Sequence, residues 1–154
     1  MIKTDKTKII QPSKGGRAYV ALIKAADRFK NRMEKIFIPF DITGQQYNVL
    51  RILRGAEPDG LPTLTIAECM IEKSPGITRM IDRLESKDLV AREIRPEDRR
   101  CVICRISKKG LDLLDALDDP VDVTNDALDE LSESEIDSLT ALLEKLVKNL
   151  EEKN

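Results

Sequence analysis

Residues 64–110 read LTIAECMIEKSPGITRMIDRLESKDLVAREIRPEDRRCVICRISKKG, and the order of signals in this stretch decides the fold. Thr65 is placed to cap a short helix, TIAECMIE. After a turn, Ser74 is placed to cap a second helix with Pro75 at its first position, where a missing N–H leaves no bond unmade. Over residues 74–86, Ile77, Met80, Ile81 and Leu84 recur at helical steps and face inward, while Thr78, Arg79, Asp82 and Arg83 face outward. Two runs with strand character follow, LVAREI and CVICRI. They are joined by RPEDRR, whose proline and charges suit an exposed hairpin tip. Ser107 then caps a further helix, KKGLDLLDALDDP, which can continue past Pro120 with a bend.

Toward the N-terminus, a helical period runs from about Ser13 through Tyr19, Leu22, Ala26, Phe29, Met33, Ile36 and Phe40, until Pro39 closes or bends the helix. Thr43 and Gln46 form a capping box for the next helix, whose buried face is Tyr47, Leu50, Ile52 and Leu53. Gly55, Pro58, Gly60 and Pro62 end it in a loop. Toward the C-terminus, a last helix opens at Ser132 or Ser134, with Glu135 as capping partner. Ile136, Leu139, Leu143, Leu146 and Leu150 make a heptad seam in it, flanked by Leu142 and Val147. A lone chain has little to set against that seam or against the N-terminal stripe. Burial against a second copy is the economical solution, and packing of the two stripes on each other within one chain is the alternative. The expected fold is mainly α with a small β-hairpin wing: a winged helix-turn-helix flanked by N- and C-terminal dimerisation helices. Its parts are an N-terminal arm and dimerisation helix over 1–42, the winged lobe over 43–110, and C-terminal dimerisation helices over 111–154.

Composition excludes several classes. Of the 154 residues, 41% are hydrophobic but only 3% aromatic, with no Trp, so the core must come from Leu, Ile, Val and Ala. No apolar run approaches the roughly 20 residues that span a bilayer. The polar start MIKTDKTKIIQ lacks a signal-peptide centre, which makes a cytoplasmic location the expectation. There is no His, and so neither the commonest general base nor the commonest metal ligand. With no phosphate-cradling glycine loop either, no catalytic residue, metal or cofactor is expected. Cys69, Cys101 and Cys104 are an odd count and read as reduced thiols. Cys101 and Cys104 are three apart on a strand and so point to opposite faces. They read as half-buried strand residues, and Cys69 as buried filler. The net charge of −2 hides an asymmetry: residues 1–110 carry 23 Lys/Arg against 14 Asp/Glu, and residues 111–154 carry 3 against 14. A low overall pI therefore does not argue against a polyanionic partner.

The outward face of the 74–86 helix carries the sharpest chemistry. Gly76 allows close approach, Thr78 can touch a thymine methyl, and Arg79 can bond a guanine edge. Arg83 can reach a base or a phosphate, and the amides near Ser74, with Lys73 beside them, suit a phosphate. On the hairpin tip, Arg95, Arg99 and Arg100 flank Pro96, Glu97 and Asp98. An arginine on a thin loop can enter a narrow minor groove, and Asp98 suits the role of holding an arginine fork and shaping the loop. The plainer alternatives are an amphipathic helix whose arginines pair with Asp82 and Glu85, and a solvated turn. The helix-turn-helix and the basic hairpin occurring together favour double-stranded DNA.

The stretch from Ser74 through Gly110 resembles the MarR-type winged-helix transcription regulators. The resemblance rests on Leu84, Leu89–Val90, Asp98–Arg99–Arg100, and Ser107 with Gly110, and covers about Thr43 to Leu117. Asp88 stands where the family usually has Gly, at a site needing left-handed backbone that Asp tolerates, and Ser107 replaces the usual Thr. The resemblance implies a homodimer with intertwined end helices and two lobes on a palindromic operator, with Arg99 probing the minor groove. It also implies a repressor released by a small phenolic or aromatic effector bound between the dimerisation helices and the lobe, or by cysteine oxidation. The sensing cysteine of the oxidation-responsive members lies in the first helix, where this chain has none. Tyr19, Phe29, Met33 and Tyr47 are candidate pocket residues, readable equally as core or dimer packing. The alternative function is a winged-helix protein-interaction module without sequence-specific DNA binding, suggested by the acidic tail.

Overall fold

Local capping signals set four of the helix starts in the computed structural model, which describes residues 13–73, 75–94, 102–122 and 126–153. Ser13 Oγ accepts from the Gly16 N–H at 3.0 Å and opens α1, Lys14–Phe37. Pro39 lies in a 3₁₀ turn, Ile38–Phe40, and Asp41 at φ 53° redirects the chain. The capping box then forms as expected: Gln46 N–H donates to Thr43 Oγ1 at 3.2 Å and Thr43 N–H to Gln46 Oε1 at 3.0 Å, starting α2, Gly44–Gly55. The remaining elements are β1 (Leu61–Pro62), α3 (Thr63–Cys69), α4 (Ile77–Ser86), β2 (Val90–Ile94), β3 (Val102–Ile106), α5 (Lys108–Asp122), α6 (Asp126–Asp129) and α7 (Glu133–Glu151). This is the expected mainly α winged helix.

The strands form one antiparallel sheet in the order β1-β3-β2, with Leu61 opposite Cys104, Val90 opposite Ile106 and Ile94 opposite Val102. The first of these strands corrects the loop expected through Pro62. A two-residue edge strand can hold a proline because an edge position need not donate to the ladder. Gly60, at φ 67°, makes the approach possible: a Cβ there would lie 2.4 Å from the Cys104 carbonyl oxygen.

Helix starts in the turn motif also differ from expectation. α3 begins at Thr63, with Pro62 rather than Thr65 at the capping position. α4 begins at Ile77 with Gly76 before it, so Pro75 belongs to a turn, and Ser74 lies outside the described residues. The turn is tied to α2, since Ile71 N–H donates to Asn48 Oδ1 at 3.0 Å and Gln45 Nε2 to Glu72 Oε2 at 3.0 Å. These long-range ties hold the chain out of helix longer than local preference would. Cys69 is exposed rather than buried, because Ile66 and Met70 take the inward positions nearby; Cys104 is fully buried, and Cys101 lies outside the described residues.

The core is the meeting of α2 (Val49, Leu50, Leu53) with Ile66, Ile81, Leu84, Cys104, Leu114, Leu117 and Phe37, all essentially inaccessible. Each such aliphatic side chain contributes roughly 1.5–3 kcal/mol of burial. The joint below α4 is closed by Asp88 at φ 60°, with Leu89 N–H reaching back to Leu84 O at 3.0 Å. Ser107 Oγ donates to Asp88 O at 2.6 Å and accepts from Gly110 N–H at 3.0 Å, so one hydroxyl caps α5 and pins the α4–β2 corner. Arg54 and Asp118 join α2 to α5 through two bonds of 2.9 and 3.0 Å, and Arg32 and Asp126 join α1 to α6 through two of 2.7 and 2.8 Å. α7 opens at Ser132, whose N–H donates to Glu135 Oε2 at 2.9 Å, yet it buries none of its residues. Among the described residues, no helix is long and apolar enough to cross a membrane.

Candidate nucleic-acid interface

α4 has two chemically opposed sides. Met80, Ile81 and Leu84 seat it on the core, while Thr78, Arg79, Asp82 and Arg83 are exposed, as their spacing predicts. Arg79 and Arg83 stand one turn apart, and among the described residues no hydrogen bond or ion pair engages their guanidinium groups. Asp82 and Glu85, the local partners that could have absorbed them, are engaged from β2. Arg92 Nη2 meets Asp82 Oδ1 at 2.6 Å and the Thr78 carbonyl oxygen at 3.2 Å, and Nη1 meets Glu85 Oε2 at 3.1 Å. Partial burial works against the charged guanidinium. The Asp82 hydrogen bond and the fields of Glu85 and Asp82 outweigh it and raise the Arg92 pKa above the ordinary arginine value.

Arg92 was not among the residues expected at the site. A signal for it did exist: it shares one face of β2 with the buried Val90. An arginine at such a position needs a partner, and the neighbouring helix carries two carboxylates three residues apart.

Of the other expected contact residues, Lys73 is exposed in the turn before α4 and Gly76 is half-buried at its start. Ser74 and the tip residues Arg95, Asp98, Arg99 and Arg100 lie outside the described residues. The strands that carry the tip are described up to Ile94 and from Val102.

Beside α4 lies a groove of about 560 Å³ between α1, α2 and the α3–α4 turn. Met33, Phe37, Met70 and Met80 give it an apolar lining, and Arg79 and Arg83 reach it from α4. Glu72 on its wall pairs with Lys30 of α1 at 3.8 Å. Of the four candidate pocket residues, Met33 lines this groove and the others do not. Tyr47 is buried with its ring 4.7 Å from that of Phe37, and Arg51 Nη1 donates to its hydroxyl at 3.2 Å. Phe29 is half-buried and Tyr19 is exposed near the start of α1. No group of three or more Cys, Asp or Glu side chains able to hold a metal occurs among the described residues.

The profile of the MarR family matches residues 42–102, which runs from just before α2 to the first residue of β3. The crystal structure of a MarR transcription factor from Planctomyces limnophilus is 40% identical and covers 87% of this chain and 98% of its own, with a TM-score of 0.68. S. aureus MepR, solved as a complex with DNA, is 26% identical over 86% of this chain and 96% of its own, with a TM-score of 0.77. The HTH-type transcriptional regulator MhqR of Bacillus subtilis (strain 168) is 27% identical over 84% of this chain and 89% of its own length. Likeness on this scale reaches well beyond the helix-turn-helix and takes in the flanking helices. The chain belongs to the MarR family of DNA-binding transcription regulators.

Proposed function

We propose that this regulator is a homodimeric repressor that reads a palindromic operator with α4 of each copy and releases it when a small phenolic or aromatic effector binds. The observation that carries the reading is the outer face of α4, where Arg79 and Arg83 are exposed and not engaged by the carboxylates of their own helix. Thr78, Arg79 and Arg83 face base edges and backbone, Gly76 admits close approach, and Lys73 with the amides near Ser74 meets a phosphate. Arg95, Arg99 and Arg100, shaped by Asp98, serve the adjacent minor groove, with Arg99 inserted. The homodimer is supported by the apolar face that α7 leaves uncovered and by the exposed Tyr19, Val20 and Ile23 on α1. Two such lobes suit half-sites about one helical turn apart. The role places the protein in the cytoplasm, with its DNA.

The test begins with selection of bound sites from genomic DNA, followed by titration of the selected duplex. Arg79→Ala should cost about 1–3 kcal/mol of operator affinity and relax preference at one base position, with the dimer intact. Unchanged affinity and preference would remove α4 from the interface, and absence of any sequence-selective binding would favour the protein-interaction alternative. For the effector, the groove offers an apolar body site and two cationic side chains for an acidic head group. Phenolic acids should raise the melting temperature and weaken operator binding, and Met33→Trp, which fills the groove, should abolish both effects.

A further inference from the structure

Arg92 occupies a place that none of the DNA-contacting assignments explains. Its side chain is about three-quarters covered, and it spans α4 from the Thr78 carbonyl to Glu85, with the shortest of its bonds, 2.6 Å, to Asp82. Asp82 follows Arg79 by three residues and precedes Arg83 by one. On a helix, residues three apart are neighbours, so an unmatched Asp82 would capture Arg79, and with Glu85 would place two negative charges on the surface meant for a polyanion. Both carboxylates remain partly exposed, at 52% and 42%, so their charge would reach a bound duplex if nothing matched it.

We infer that Arg92 is a positioning residue of the DNA interface. It engages both carboxylates from the strand side and offsets part of the charge of Asp82 and Glu85, which leaves Arg79 and Arg83 unclaimed by their own helix. The inference rests on α4 being the helix that enters the major groove.

The experiment uses the full chain and a fluorescein-labelled operator duplex, titrated by anisotropy at several KCl concentrations. Arg92→Gln should weaken binding about tenfold, the scale of one charge interaction at a partly screened surface. Adding Asp82→Asn and Glu85→Gln to Arg92→Gln should restore affinity to within about threefold of the parent, and Asp82→Asn alone should bind no more weakly than the parent. Arg92→Gln with Asp119→Asn and Asp122→Asn, two carboxylates on α5, should stay weak, which separates local masking from net charge. A pair that is only a strut gives a different pattern: Asp82→Asn alone as weak as Arg92→Gln, and no recovery in the triple variant. Either result overturns the inference. If Arg92→Gln does not fold by circular dichroism, Asp82→Asn and Asp82→Asn/Glu85→Gln decide alone, since masking predicts equal or tighter binding and a strut predicts loss. If Arg79→Ala binds like the parent, the assignment of α4 is at fault, whatever the Arg92 series does.

Discussion

The winged lobe and the terminal helix α7 use the same side chains at the same spacing and reach opposite ends. In the core that the lobe shares with α5, Leu50, Leu53, Leu84, Leu114 and Leu117 are fully covered, while in α7 Leu139, Leu143 and Leu146 stay 37–40% exposed and Leu142 reaches 66%. Helical periodicity states that a stripe needs a partner and is silent on which chain provides it. The lobe closes its core with elements that follow one another along the chain. α7 comes after α6, beyond the reach of that core, and its seam does not bury itself against the stripe on α1. Packing of the two end stripes within one chain is therefore not the arrangement found.

The largest effect should come from breaking the end-helix face. Leu143→Glu with Leu146→Glu should halve the mass measured by sedimentation, leave the lobe helical, and lower operator affinity by about 10²-fold or more as two-headed binding is lost. A dimer that persisted would show that the exposed seam is not the contact between copies. A core truncation sharpens the other side of the comparison. Leu114→Ala, at a site with no access to solvent, should cost about 2–5 kcal/mol and lower the melting temperature by the same amount at every protein concentration. The double glutamate variant, by contrast, should remove concentration dependence from the melting curve.

The smallest effect concerns the ion pairs that join α2 to α5 and α1 to α6. Two hydrogen bonds from Arg54 hold the Asp118 carboxyl below its ordinary pKa despite some desolvation, and Arg32 does the same for Asp126. A carboxylate with a depressed folded pKa favours the fold above its unfolded value, near 4, and loses that contribution as pH falls through the folded value. The two carboxylates keep 43% and 55% of their side-chain surface exposed, so solvent screening keeps each effect modest. Asp118→Asn should lower the melting temperature slightly at pH 7 and flatten its decline on acidification below pH 4. An unchanged pH profile would mean that the α2–α5 pair adds nothing to the lobe.

Much of this fold was legible residue by residue. The left-handed Asp88 was signalled by the family resemblance, while Thr43 with Gln46, Ser107 with Gly110 and Ser132 with Glu135 all act over three residues, so their chemistry appears in any short window. The outward face of α4 was legible for the same reason. The errors share a different cause. β1 exists because Gly60 lets the chain press on β3, α4 starts late because Asn48 and Gln45 hold the preceding turn, and Cys69 is exposed because Ile66 and Met70 take the inward positions. Tyr19, Phe29 and Tyr47 were grouped with Met33 by residue type, and the folded chain sends them to three different environments.

The amino-acid order by itself determined the succession of helices and strands, the capped boundaries and the cationic side of α4, because each depends on hydrogen bonds and side-chain spacing within about one turn. Tertiary structure alone decided that Arg92 takes Asp82 and Glu85 away from the arginines of α4, that Met33 and Met80 line one groove, and that Leu139, Leu142, Leu143 and Leu146 of α7 stay exposed. Those outcomes are settled by how separate elements pack; for Arg92 the strand pattern signals the need for a partner, and the packing of β2 on α4 supplies it.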